Sequence, residues 1–233
     1  MGAAAISAAE EPVAIGKAIA LTEQEKTRIS EAVRAAEMRT RAEIVPMLVA
    51  RSGLYRDAQH RAGLALALLL LTALLMGESL WVFWAWQTIN AAGLLLATLL
   101  AYAIGLWLGT FDRVVRAVTS AERLRRKVQL RAERAFAQHS LSRTRQRTAV
   151  LLMVSLLERH VYVLPDVGIG ADVTPAQWNE VVEAVVTRLR SNDIAEGLCA
   201  GIEKCGLLLA QACPVVQGDN PDELSNRVLQ EPS

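Results

Sequence analysis

The sequence predicts a small α/β sandwich interrupted by a two-helix transmembrane hairpin. Three observations lead there. Residues 62–111 hold a single charged side chain, Glu78. About twenty residues cross a bilayer, so a run of that length makes two spans and a turn rather than one. The flanking chain is polar and alternates helical patterns with short apolar runs, which is the signature of helices layered on a sheet.

The organisation follows in order. Residues 1–20 form an Ala-rich flexible start, and 21–61 the first part of the soluble domain. Residues 62–111 form the hairpin, with spans near 63–85 and 91–111. Residues 112–214 complete the domain, and 215–233 are a polar, mobile tail. Thr22 and Glu25 have capping-box spacing, and Ile29, Val33 and Ala36 supply the apolar stripe of a helix near 22–39. Glu43 to Val49 reads as the first strand. Pro46 has no N–H to give a ladder, so this strand is an edge or is bulged there. A single long helix is expected over 111–138. Ala149 to Leu157 reads as a strand buried on both faces, and His160 to Leu164 as its hairpin partner. Thr174, Pro175 and Gln177 start one more helix, buried through Trp178, Val182, Val185 and Leu189. Asp193 starts the last, which Pro214 ends. A helix links the first two strands, so they run parallel, and the third pairs antiparallel with the second.

Charge sets the orientation. Arg51, Arg56 and Arg61 precede the first span, while Arg113, Arg116, Arg123, Arg125, Arg126 and Lys127 follow the second. The turn at 87–90 has no base. The positive-inside rule puts both termini in the cytoplasm, with the chain a multi-pass protein of the cell inner membrane. Trp81, Trp84 and Trp86 beside the turn, and Trp107 at the other end, mark the two interfaces. The net charge of +1 hides an asymmetry: residues 111–147 carry eleven Arg or Lys and three acids, and residues 150–233 carry twelve acids and five bases. The basic stretch suits a lipid bilayer with anionic headgroups. It lacks interleaved stacking aromatics, so nucleic acid is not the expected partner. Glu78 reads as an acid near the outer interface, because two helices with one carboxylate offer little polar lining for transport.

No secretory signal is expected from the first twenty residues. Met1-Gly2 lacks the Ser or Thr at position six that acylation requires, since Ile6 stands there. Cys199, Cys205 and Cys213 share one helix with no His beside them and read as reduced packing residues. His60, His139 and His160 sit in separate segments, and no phosphate loop, zinc spacing or nucleotide fingerprint occurs. The strand directions place Ser52, Asp57, Ser155 and Glu158 at the membrane-proximal end of the sheet. They gather Glu43, Asp166 and Asp172 at the distal end, where three carboxylates would suit Ca2+ or Mg2+. Their alternative roles are solvated loop acids and, for Asp166, a turn cap.

Taken together, T-R-A-E-I-V-P-M-L-V-A-R-S at 40–52, T-A-V-L-L-M-V-S-L-L-E-R-H-V-Y-V-L-P-D-V-G-I at 148–169, Trp178, and E-G-L-C-A-G-I-E-K-C-G at 196–206 resemble the TPM domain family. The likeness is to its bacterial branch with a transmembrane hairpin inserted after the first strand, and it covers roughly residues 20–214. The resemblance implies a Rossmann-like α/β/α domain and accessory roles at membranes. For some members it implies weak acid phosphatase activity and calcium binding. Many members carry G-Y-G after the third strand, where this chain has Asp166-Val167-Gly168. Many have Asn-Gly before the second strand, where this chain has Arg147-Thr148-Ala149. The expected function is a membrane-anchored, non-enzymatic accessory protein for the assembly or turnover of another membrane protein. A metal-dependent weak phosphatase is the alternative.

Overall fold

The computed structural model describes residues 21–79, 91–169, 173–191, 193–215 and 224–231. Trp81, Trp84, Trp86, the turn at 87–90, Asp172 and the first twenty residues lie outside them. The chain divides into two compact units, one of residues 1–53 and 125–233 and the other of residues 54–124.

The larger unit is an α/β/α sandwich around a four-stranded sheet. Helix α1 (Glu23–Glu37) opens on its capping box: the Thr22 amide donates to Glu25 Oε2 at 2.7 Å, and the Glu25 amide donates to Thr22 Oγ1 at 3.3 Å. Two of the orphan amides at the helix start are thereby satisfied. Strand β1 (Glu43–Val49) pairs parallel with β2 (Ala149–Ser155), which pairs antiparallel with β3 (His160–Pro165). Both pairings follow the expected directions. Helix α6 (Pro175–Leu189) and α7 (Ile194–Ala212) complete the layer that contains α1.

Strand residues alternate between two cores. Ile44, Leu48, Val150, Leu152, Val154, Val161 and Val163 pack with α1, α6 and α7. Val45, Met47, Val49, Leu151, Met153 and Tyr162 pack with Val128, Ala132 and Ala135 of α5 (Ala121–Gln138). Every residue of β1 and β2 is buried. This is why β2 reads as an unbroken apolar run instead of alternating with polar residues. Small residues let the helices close: a Cβ on Gly206 of α7 would lie 2.6 Å from Ala36 Cβ of α1.

Three expectations change. The tail is not wholly unpaired, because Leu229–Glu231 forms a short strand β4 that runs parallel beside β1, giving the order β3-β2-β1-β4. Three residues, of which only Leu229 is apolar, carry too little periodicity to be read as a strand. β1 is therefore flanked on both sides at Met47–Val49. Pro46 is still accommodated by an open side. Glu43 N–H donates toward β2, to Thr148 O, whereas the Ile44 amide donates away from β2, to Glu37 Oε1. Alternation then turns the position of the missing Pro46 donor away from β2, just before β4 pairing begins. Finally, the helix expected at 111–138 is two: α4 (Asp112–Val118) and α5. Thr119 breaks it with extended φ −105° and ψ 130°. Ser120 then begins α5, its carbonyl accepting from Leu124 N–H. A β-branched residue followed by a good N-cap favours that break.

The smaller unit contains α2 (Arg56–Ser79), α3 (Ala91–Leu108) and α4. Arg56–Met76 and Ala91–Leu108 are long and apolar enough to cross a membrane. At 1.5 Å per residue, α3 spans about 27 Å. α2 begins earlier than the span expected from 63, and α3 ends before 111. The two helices run antiparallel through small residues. A Cβ on Gly105 would lie 2.6 Å from Gly63 Cα, and one on Gly109 would lie 2.5 Å from Gln59 Cα. His60 Nδ1 and the Tyr102 hydroxyl hydrogen-bond beside this crossing at 2.9 Å. The outward faces are leucine: Leu68, Leu69, Leu95, Leu96, Leu99 and Leu100 are all exposed. Trp107 is exposed and meets Phe111 edge to face, with ring centroids 5.1 Å apart. Glu78 falls in the last turn of α2.

Candidate functional site

The expected acids divide between the two ends of the sheet. At one end, Glu43 begins β1 opposite Ala149, and Asp166 follows β3 with its amide donating to Ala149 O at 2.8 Å. Both are buried. Arg147 lies on the preceding loop at φ 55°, a left-handed conformation that few non-glycine residues adopt. Its guanidinium meets both oxygens of Asp166, at 3.1 Å from Oδ1 and 3.4 Å from Oδ2. The Val167 amide also donates to Oδ1, at 2.7 Å, so Asp166 caps the turn that follows β3. Gly168 allows that turn to lie against the Arg147 loop, since a Cβ there would stand 2.0 Å from Gln146 O.

A divalent cation needs several oxygens turned toward it. The two oxygens of Asp166 are turned to a guanidinium and an amide instead, and a cation there would face the Arg147 charge. Asp166 is thus engaged by Arg147 and the Val167 amide, and Asp172, the third acid expected here, lies outside the described residues. Among the described residues no group of three or more His, Cys, Asp or Glu is gathered to hold a metal ion.

The other end carries a buried polar cluster. β2 ends at Ser155, and Leu156–Arg159 turns back with Arg159 at φ 52°. The Leu156 amide donates to the Val49 carbonyl, one step beyond the paired strands, and the Leu157 amide then donates to the Ala50 carbonyl as the chain turns. This brings Glu158 against the exit of β1. One carboxylate oxygen accepts the Ser52 amide at 2.8 Å, and the other accepts the Ser155 hydroxyl. The Ser52 and Ser155 hydroxyls meet at 2.8 Å. Sequence placed Ser52, Ser155 and Glu158 at one end, but the left-handed turn that closes them into a bonded set leaves no pattern in the residues. Asp57, expected with them, pairs with Arg61 and Arg123.

Ser155 is wholly buried and bonded to a carboxylate, not to an imidazole, so it presents no nucleophile to a substrate. His160 stands opposite Ser155 in the β2–β3 ladder, and its Nε2 is buried without a hydrogen-bond partner. Burial, assisted by the Arg125 charge, lowers its pKa to about 4. The chemistry open to this cluster is mechanical: it fastens the exit of β1 to the β2–β3 turn. The thiols are no better placed for catalysis. Burial pushes Cys205 up to about 12 and raises Cys199. A thiolate nucleophile needs the opposite shift.

The buried histidine predicts an acid-sensitive fold. Between its ordinary pKa of 6.5 and about 4, the unfolded chain binds a proton that folded His160 refuses. Stability therefore falls as pH drops through this window and is unaffected by His160 above it. Urea unfolding should lose about 2 kcal/mol between pH 7 and pH 5. His160→Gln should flatten that slope, and an unchanged slope would refute the assignment.

Comparison with known proteins agrees with this architecture. The TPM domain family matches residues 112–207, which run from α4 into α7. The NMR structure of BA42 protein from the psychrophilic bacterium Bizionia argentinensis superposes with a TM-score of 0.55 at 20% sequence identity, covering 91% of this chain and 95% of that one. At that identity the likeness is one of fold. No curated protein matches the chain. The residues that match the TPM domain family fold here as a sandwich on β1, so the chain is similar to that family in the part that forms most of the larger unit.

Proposed function

We propose that this TPM-like domain is held at the cell inner membrane by the α2–α3 hairpin, with both termini cytoplasmic, and that it serves another membrane protein as an accessory in assembly or turnover. The observation that supports this most directly is the pair of helices packed through glycines while their leucines face outward. Soluble proteins rarely leave contiguous apolar surface of that extent open to water. Close packing through small residues is how helices associate in lipid. The arginines flanking the hairpin would meet anionic headgroups.

Membrane residence is tested by alkaline extraction of isolated membranes. Release of the protein into the supernatant would end the proposal. The accessory role is tested by crosslinking in native membranes, where a stable protein neighbour should co-purify.

Catalysis by a metal-dependent phosphatase would require Asp166 to turn from Arg147 to a cation. We expect phosphate-ester hydrolysis with Ca2+ or Mg2+ to match that of an Asp166→Ala variant. Metal-stimulated turnover abolished by Asp166→Ala, with no crosslinked neighbour, would replace the accessory reading with the enzymatic one.

A further inference from the structure

From Thr40 through β1, the outer side of the chain meets four different devices in turn. The Arg41 amide donates to Cys213 O, next to the Thr40–Pro214 bridge. The Ile44 amide donates to the Glu37 carboxylate. Pro46 has no amide hydrogen to satisfy. Only Met47–Val49 is closed by a strand, and that strand is the three residues of β4.

The two sides of this pairing differ in how firmly they are held. Met47, Leu48 and Val49 are at most 1% exposed and belong to the two cores. β4 is anchored by Val228, packed against one core, and by Leu229 with Leu224, packed against the other; all three are only partly buried. Adjacent apolar residues on opposite faces, beside a backbone ladder, are the requirements of strand addition: main-chain bonds give affinity and alternate side chains give selectivity.

We infer that the β1 edge at Met47–Val49 is a strand-addition site for an extended segment of a partner protein, and that β4 is the chain's own removable occupant of it. The inference rests on the accessory role proposed above and gives that role a surface. The partner segment it fits runs parallel to β1 and carries two adjacent apolar residues in the manner of Val228-Leu229. As a tethered competitor, β4 is present at high effective concentration and weakens any segment arriving from outside.

The test uses the full-length protein in detergent micelles and a fluorescein-labelled peptide with the sequence of residues 224–231. Anisotropy is compared for the wild type, Leu229→Asp and Glu231→Pro. The first substitution removes an anchor. The second removes an amide that the alternation of β1 directs toward Leu48 O, while leaving both apolar anchors in place. Both variants should bind the peptide at least tenfold more tightly than the wild type. If Leu229→Asp loses its circular dichroism, Glu231→Pro carries the comparison.

Absence of peptide binding to a folded variant would overturn the inference. So would equal binding by wild type and variants, because β4 would then not be covering the site. A wild-type dimer that Leu229→Asp dissolves would also overturn it, by assigning the edge to a second copy. Peptide binding is read without membrane or partner. A failed peptide experiment is thus distinct from a failed search for crosslinked neighbours.

Discussion

Gly201→Leu will unfold the sandwich more readily than any surface change. Gly201 sits where α7 crosses α6 and β2. A Cβ there would lie 2.2 Å from Val185 Cγ2 and 3.1 Å from Leu152 Cδ2. Neither neighbour has room to yield, since both are completely buried. Val185 is also β-branched on a helix, which leaves it one favoured rotamer. The helix must therefore move off the sheet, or the core must strain. Overpacking of this kind costs about 3 kcal/mol, and more when backbone has to shift. For a domain of this size that lowers the melting midpoint by roughly 10 °C. The check is a double-mutant cycle with Val185→Ala, monitored by thermal circular dichroism. Removing Cγ2 should make the pair less destabilised than the sum of the single changes. Simple additivity would show that the crossing is looser than described.

Glu158→Ala will be nearly as damaging, through lost bonds instead of lost space. The carboxylate accepts the Ser52 amide and the Ser155 hydroxyl, and all three residues are buried or nearly so. Truncation strands two donors where water has little access. Hydrogen bonds to a charged acceptor contribute about 1.5–3 kcal/mol each, so a loss of about 3 kcal/mol is expected. Glu158→Gln should cost less, because it keeps one carbonyl oxygen to accept from either donor. The local readout is hydrogen exchange at the Ser52 amide, which should accelerate in both variants and most in Glu158→Ala. A protected Ser52 amide in a fully stable Glu158→Ala protein would mean that the cluster fastens nothing.

Much of the sandwich was legible because its signals are local and strong. Thr22 with Glu25, and Thr174 with Pro175 and Gln177, announce helix starts, and both capping boxes are formed. The apolar run at 149–157 and the alternation at 160–164 gave β2 and β3 and their antiparallel sense. The break at Thr119-Ser120 was hidden because the apolar positions of α4 and α5 keep helical spacing through it. β4 was hidden because its pairing is owed to the edge it joins. Sites were harder. The end of the sheet at which each acid stands followed from strand direction. What each acid bonds to did not, because that depends on turn conformations such as those of Arg147 and Arg159. Thus Asp166, read as a candidate ligand, is held by a guanidinium.

Placing the α2–α3 insertion between two neighbouring strands has a cost during synthesis. Ser52 at the exit of β1 waits for Glu158, 106 residues later. At about 5–20 residues per second, ribosomes need roughly 5–20 s to deliver it. Through that interval β1 is an apolar strand without a companion, and α1 has not yet met α7. Pro46 gives the lone strand a gap in its donors, which hinders stacking onto nascent neighbours. The amino-terminal segment is therefore a passenger until the carboxyl-terminal part emerges, and severing the gene at the insertion should leave it unable to fold by itself.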